Sequence, residues 1–125
     1  MRVKGITFVG ARTPRLAEME RLFGETMGLV LKSRAKDMVI WQLPDGSLVE
    51  VFSEDEPDHL HFDSGPVVGF LVDDVAAARA ELEAAGHELI GPMHTIEERR
   101  GWTFFRAPDG NVYEITGPIS GPGDP

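Results

Sequence analysis

Two stretches of the sequence decide the fold: Leu43–Phe52, LPDGSLVEVF, and Ala107–Thr116, APDGNVYEIT. They lie 64 residues apart and align without a gap. In both, Pro fixes φ and Gly accepts a positive φ, so Pro-Asp-Gly predicts a tight turn. The β-branched and aromatic residues that follow are typical of a strand. The chain therefore contains two copies of one turn-and-strand unit.

A helical pattern precedes each copy. Leu16, Met19 and Phe23 stand three and then four residues apart, which predicts an amphipathic helix of about three turns. The same spacing recurs 59 residues later, at Val75, Ala78 and Leu82. The two halves of the chain are therefore predicted to share more than the hairpin.

The ends of both predicted helices carry the usual signals. Thr13-Pro14 offers a capping hydroxyl and a proline for the first helical turn. Asp73 or Asp74 can cap the second helix. Gly28 and Gly86 can adopt the left-handed conformation that ends a helix.

Each half is then predicted as one strand, one helix and three strands. The expected strands are residues 3–11, 29–35, 38–43 and 47–52, and then residues 66–72, 88–94, 102–106 and 111–116. The offset between the halves grows from 59 to 64, so the second half has five extra residues. We place them in the polar stretch Thr95–Gly101 and expect a lengthened loop there. A neutral surface insertion and a functional loop explain it equally well.

The predicted organisation is a single domain, 1–125, built from two modules. Module one covers about 3–53, an acidic and turn-rich linker about 54–65, and module two about 66–116. We expect the linker to be exposed. The tail, 117–125, has no periodicity and is expected to be mobile.

Composition excludes several classes of function. The 125 residues include 12 Lys and Arg against 21 Asp and Glu, for a net charge of -9. This balance argues against nucleic acid and anionic membranes as partners. There is no cysteine, so disulfides and Cys-ligated zinc are excluded. The first residues contain no apolar run long enough for a membrane span, and a cytoplasmic location is expected.

A duplicated βαβββ module with these hairpins resembles the vicinal oxygen chelate superfamily, which groups glyoxalase I, bleomycin resistance proteins and extradiol dioxygenases. The most specific stretches are PDGNVYE at 108–114 and GFLVDDV at 69–75. The resemblance implies an α+β fold of two tandem βαβββ modules (glyoxalase/bleomycin resistance/dihydroxybiphenyl dioxygenase-like). Their curved mixed sheets would carry a helix on the convex side and enclose a cavity. It also implies a homodimer.

The resemblance further implies four metal-ligand positions, which fall at Phe8, Glu50, Val67 and Glu114. Phenylalanine and valine cannot ligate a cation, and two carboxylates alone are a poor site for a transition metal. We therefore expect no cofactor. If a divalent metal binds, Glu50 and Glu114 are the residues that would hold it. His94 is the best-placed histidine to complete such a site.

Glu50 and Glu114 are also the candidate catalytic residues. Strand side chains alternate between faces, so Glu50 shares its face with Leu48 and Phe52, while Val49 and Val51 should pack under the helix. A carboxylate between apolar residues responds by raising its pKa. The remaining candidates are expected to contact a small-molecule ligand: Phe8, Phe52, Val67, His94 and Trp102.

Other side chains are expected to have less specific roles. Trp102 borders the long loop and could form a lid. Arg12 has the strand parity of Phe8, but an exposed position at the strand end is the simpler expectation. His59 and His61, and likewise His87, are expected at the surface because their neighbours are polar.

Three functions remain open from the sequence. The leading hypothesis is a metal-independent small-molecule-binding protein similar to the bleomycin resistance branch, since Phe8 and Val67 stand at ligand positions. The alternative is a lyase, isomerase or dioxygenase that uses a rearranged metal site, or Glu50 or Glu114 as a base. The third is a non-catalytic dimeric interaction module.

Overall fold

The computed structural model describes residues 1–119. In this part of the chain the elements follow the predicted order twice. The first module contains β1 Val3–Thr13, α1 Leu16–Glu20 continued by a π-helix Arg21–Thr26, β2 Val30–Ala35, β3 Met38–Gln42 and β4 Leu48–Ser53. A 3-10 helix, Pro57–His59, follows in the linker. The second module contains β5 Val67–Val72, α2 Val75–Ala84, β6 Glu88–Ile96, β7 Arg100–Arg106 and β8 Val112–Pro118. The βαβββ repeat predicted from the sequence is confirmed.

The chain divides into two compact units. One comprises residues 8–67, and the other comprises Met1–Thr7 with the chain from Val68 onward. We call them the Glu50 unit and the Glu114 unit, after the glutamate that each contains.

The Glu50 unit has the strand order β2-β3-β4-β1, in which β1 and β4 run parallel and the other pairs run antiparallel. Val39, Trp41 and Val51 are fully buried on one face of this sheet, under the first helix. The ring of Phe23 from the helix meets Trp41 edge-on at 5.4 Å between ring centroids. The prediction that this face packs under the helix is confirmed, and the same packing places Trp41 in the core.

The Glu114 unit repeats this arrangement with the strand order β5-β8-β7-β6, where β5 and β8 are parallel. Helix α2 contributes Val75 and Ala78 to a core that includes Val72 and Ile115. Phe105 packs against this core on the helix side. Each glutamate strand therefore turns one face to its helix and carries its glutamate on the opposite face.

The two helices begin differently. Asp74 caps α2 as predicted, because its carboxylate accepts a hydrogen bond from the Ala77 N–H at 3.1 Å. The prediction for the first helix is wrong: Thr13 still belongs to β1, and α1 starts at Leu16 after Arg15, without a side-chain cap. The Thr13 hydroxyl instead accepts the Arg15 N–H at 3.1 Å, in the turn before the helix.

The helix ends follow the prediction more closely. Gly28 and Gly86 have φ of 69° and 90°, the left-handed conformation expected after a helix. The first helix is less regular than predicted, because its second half is a π-helix, Arg21–Thr26.

The five extra residues lie where the sequence placed them, but they do not form a loop. In the first module Ala35 pairs with Met38, and only residues 36–37 lie between them. The equivalent pair in the second module is His94 with Trp102, and residues 95–101 lie between them. Strands β6 and β7 continue through most of that stretch, and only 97–99 form the turn. The insertion therefore lengthens a hairpin instead of supplying a lid.

The linker is also more ordered than predicted. It contains the 3-10 helix Pro57–His59, and Phe62 is only 3% exposed. The expected tail begins later than residue 117, because β8 runs to Pro118 and the Ile119 N–H donates to the Arg99 carbonyl at 2.7 Å. The rest of that tail lies outside the described residues.

None of the helices within residues 1–119 is long and apolar enough to cross a membrane.

Candidate functional site

Glu50 lies near the middle of β4, on the face of its sheet that is opposite the helix. Across the strands its Cα faces Gly10 of β1 on one side and Ile40 of β3 on the other. Along β4 it stands between Leu48 and Phe52 on the same face. Glu50 is thus the acidic residue in a surface made mainly of glycine and apolar side chains.

The carboxyl group of Glu50 is half-buried and electrostatically unfavourable in its charged form. Burial raises its pKa to about 7, and the positive charge of Lys32 partly opposes this rise. Among the described residues, Glu50 makes no hydrogen bond or ion pair. Such a carboxyl group retains its full capacity to bind a polar group of a ligand.

Lys32 was not predicted as a site residue, and a β-bulge accounts for its position. The pairing of β2 with β3 moves from Leu31↔Trp41 to Ser33↔Ile40, which leaves Lys32 as the extra residue. Lys32 and Ser33 therefore both oppose Ile40, the cross-strand neighbour of Glu50. The sequence contains no signal for this bulge, so parity alone could not place Lys32.

The aromatic residues predicted beside Glu50 share its face but are covered. Phe8 and Phe52 are 5% and 1% exposed. The Phe8 ring lies over Gly10, where a Cβ would overlap it, and it also packs against Phe62 with centroids 6.0 Å apart. His59 stacks on Phe52 at 3.6 Å. These rings form a small aromatic core beside Glu50.

His59 and His61 are less exposed than their polar neighbours in the sequence suggest. Both are half-buried because the linker folds back and packs its rings against Phe52 and Phe62. The Nδ1 atom of His59 also pairs with the carboxylate of Glu56. His87 is half-buried as well, and no ring contact involves it in the described chain.

Arg12 lies on the Glu50 face, with its Cα opposite Phe52. It is half-buried, not exposed as expected. Its Nη2 donates to the Glu54 carbonyl at 3.0 Å, so the guanidinium ties the start of the linker to β1.

Glu114 occupies the equivalent position in the other unit. Its Cα faces Gly69 of β5 and Phe104 of β7, and Ile90 of β6 follows Phe104 in the same row. Glu114 is 9% exposed, so this carboxyl group is buried more deeply than that of Glu50. The glycine beside each glutamate, Gly10 or Gly69, repeats at the offset of 59, so the repeat itself marks this position.

His94 and Trp102 lie on the same face of the sheet as Glu114. They are cross-strand partners, and their rings stack at 5.4 Å. Trp102 also faces Thr116, whose hydroxyl donates to the Gly101 carbonyl at 3.1 Å. Trp102 thus belongs to a paired strand and does not form a lid. Val67 is fully buried.

The donor set of the described residues does not fit a resident metal. Within residues 1–119, no three His, Asp or Glu side chains come close enough together to hold an ion. Two of the four positions that the resemblance implies are buried apolar side chains, Phe8 and Val67. A divalent transition metal needs about three protein ligands, so we derive no chemistry through one.

A comparison with family sequences supports the relationship that the hairpins and the repeat indicate. The family model of the Glyoxalase/Bleomycin resistance protein/Dioxygenase superfamily matches residues 5–115. The chain belongs to this superfamily. The resemblance stated from the hairpin motifs is confirmed. No curated protein matches the chain significantly in sequence.

Solved structures of this superfamily share the fold. Methylmalonyl-CoA epimerase from Mycobacterium tuberculosis superposes with a TM-score of 0.69 at 16% identity, over 94% of this chain and 90% of that one. The Mn(II)-bound glyoxalase from Novosphingobium aromaticivorans gives 0.73 at 18% identity, over 99% of this chain but 43% of its own. The 2,3-dioxygenase LapB from Pseudomonas sp. KL28 gives 0.70 at 21% identity, over 94% and 42%. At these identities the likeness shows the α+β fold alone.

Proposed function

We propose that this chain is a metal-independent small-molecule-binding protein of the glyoxalase/bleomycin resistance superfamily, and that Glu50 holds the polar group of its ligand. The observation that carries the proposal is the half-buried carboxyl group of Glu50, which has no partner among the described residues and lies on an apolar face. Apolar walls with a few polar groups are typical of ligand sites.

The proposal can be tested by screening small organic fragments by NMR in a buffer with EDTA. We expect fragments that shift the resonances of Glu50 and Ile40, and we expect Glu50→Gln to weaken their binding about tenfold. Glu54→Gln, a change of an exposed glutamate in the linker, is the matched control and should bind as the unmodified protein does. Fragments that bind only after a divalent ion is added, or that bind Glu50→Gln equally well, would contradict the proposal.

A second function is favoured by one further observation: the pKa of Glu50 lies near neutrality. A carboxylate with such a pKa is suited to take a proton from carbon beside a carbonyl group. The C–H bonding pair would move toward the carbonyl oxygen while the proton passes to the carboxylate. Structural neighbours named as epimerases make this class of reaction a reasonable one to test.

Solvent exchange separates this catalytic function from simple binding. Fragments with an acidic C–H that bind at Glu50 should exchange that hydrogen for deuterium in D2O, and Glu50→Gln should abolish the exchange. If binding occurs without exchange, the first proposal stands and the catalytic one fails. The dioxygenase and rearranged-metal alternatives have no supporting observation in the described residues.

The homodimer is also a proposal, supported by the superfamily alone. Sedimentation equilibrium at micromolar concentration tests it, with the dimer mass as the expected result. If the protein sediments as a monomer with ligand bound, the non-catalytic dimeric module is contradicted as well.

A further inference from the structure

We infer that Lys32 is a specificity-determining residue of the Glu50 site, and that this site selects a small ligand carrying an anionic oxygen next to a hydrogen-bond donor. The inference deepens the proposed function and rests on Glu50 being the site of binding. The sequence repeat assigns no role to Lys32.

Lys32 lies two strands away from Glu50. The β-bulge places it opposite Ile40, and Ile40 faces Glu50. Strands lie about 4.8 Å apart, so β2 and β4 are separated by about 10 Å. The long lysine side chain can cover much of that distance across Ile40, which brings its charge to the edge of the Glu50 carboxyl group.

Lys32 and Glu50 both lack a hydrogen-bond or ion-pair partner among the described residues. Lys32 is exposed, and among the described residues it makes no hydrogen bond or ion pair. Glu50 likewise has no partner there, and the two do not pair with each other. The two open groups can therefore be bridged by one ligand.

The Glu114 unit differs in the residues at its own irregularity. There the row through Glu114 continues through Phe104 to Ile90, and the pairing of β6 with β7 shifts between Ile90 and His94. The residues at that shift are Gly91, Pro92 and Met93, so it adds no charge beside Glu114. The positive charge is therefore not a general property of the repeat. It is added to the Glu50 row by one extra residue, and bulges commonly re-aim a side chain beside a site.

The chemistry of the two groups defines the ligand class. Lys32 offers N–H donors and a positive charge, which suit a carboxylate oxygen. Glu50 offers carboxyl oxygens that accept from a hydroxyl group. The apolar residues Ile40 and Leu48 suit a hydrocarbon group. An α-hydroxy carboxylate with an apolar substituent carries all three features.

Mandelate, mandelamide and phenylacetate are the probes that test this inference by calorimetry. Mandelamide lacks the negative charge, and phenylacetate lacks the hydroxyl group. We expect the unmodified protein to bind mandelate about fivefold more tightly than mandelamide, and raising the salt from about 20 to 500 mM should reduce that preference. A structural role for Lys32 would not respond to salt in this way.

Variants then assign the preference to Lys32. Lys32→Met should bind mandelate and mandelamide equally, while Lys32→Arg should retain the preference. Lys36→Met, a change of an exposed lysine in the same hairpin, is the matched control and should retain it as well. Both positions are on the surface, so equal melting temperatures will show that the three variants fold.

The outcomes separate the inference from the proposed function. If all three probes bind equally and Glu50→Gln weakens each of them, the binding function stands and the role of Lys32 falls. If Lys32→Met keeps the preference for mandelate, the inference is overturned. If no probe binds to the unmodified protein, the ligand class is wrong.

Discussion

The rows through Glu50 and Glu114 occupy the same position of the repeat, yet their surroundings differ. Glu50 is half-buried, with its carboxyl group open and Lys32 brought near by a bulge. Glu114 is 9% exposed and lies in a row with Phe104 and Ile90. Duplication therefore placed two carboxyl groups on the sheets, and local changes in strand pairing made one of them the better candidate for binding.

The largest expected effect is the pH dependence of stability that Glu50 creates. Its pKa rises from 4.5 to about 7 on folding, so the folded state holds the proton more tightly than the unfolded state. The stabilisation is complete below pH 4.5 and is lost as the pH rises toward 7, a change of about 3 kcal/mol. Urea unfolding at intervals between pH 4 and 8 measures it.

Glu50→Gln should remove this loss, and Glu54→Gln should leave it unchanged. The difference between the two variants isolates Glu50 from other titrating groups. If both variants lose stability equally between pH 4.5 and 7, the account of the Glu50 environment is wrong.

The next effect concerns Gly10, the neighbour of Glu50 on β1. Gly10→Ala should lower the free energy of unfolding by about 2 kcal/mol, because a Cβ there overlaps the Phe8 ring and approaches Phe62 at 3.0 Å. Gly5→Ala lies on the same strand with nothing within 4 Å of the new atom. Its stability should be unchanged or slightly higher, and equal losses in chemical denaturation of the two variants would refute the packing of Phe8 over Gly10.

The helix starts provide a smaller contrast between the two units. Asp74→Ala should cost about 1 kcal/mol, because it removes the cap of α2. Thr13→Ala should cost less, since Thr13 bonds to a turn residue and caps no helix. Thermal unfolding of both variants checks this order, which would be reversed if α1 depended on Thr13.

The smallest effect distinguishes the turn between β6 and β7 from the turn between β2 and β3. Glu97 and Glu98 have φ of 55° and 57°, a conformation that is unfavourable for residues other than glycine. Glu98→Gly should therefore raise the free energy of unfolding by about 0.5 kcal/mol. Lys36→Gly, in a turn without positive φ, should lower it instead, and a gain in both variants would show that the φ angles are not the cause.

Much of the fold could be predicted from local chemistry. Pro-Asp-Gly turns, helical spacing and the two offsets predicted the order of elements. Strand parity put Glu50 on one face with Phe52, and Glu114 on one face with Thr116. These features depend on residues close together in sequence. The glycine beside each glutamate could also have been found, because it repeats with the helices.

The remaining features depend on contacts between distant residues. The bulge at Lys32 arises from pairing with β3, and no residue type marks it in advance. Phe62 is far in sequence from Phe8, so the folding of the linker onto the aromatic core was invisible. The polar composition of 95–101 indicated a loop, but cross-strand hydrogen bonds continue the hairpin through it.

The central claim is that Glu50 is an open, half-buried carboxyl group whose properties depend on Lys32. Its most direct test is a carbon-13 NMR titration of the Glu50 carboxyl group in the unmodified protein and in Lys32→Met. The account predicts a pKa near 7 and a higher value in the variant, because the charge of Lys32 lowers it. A midpoint near 4.5, or one that does not move in Lys32→Met, would contradict the account.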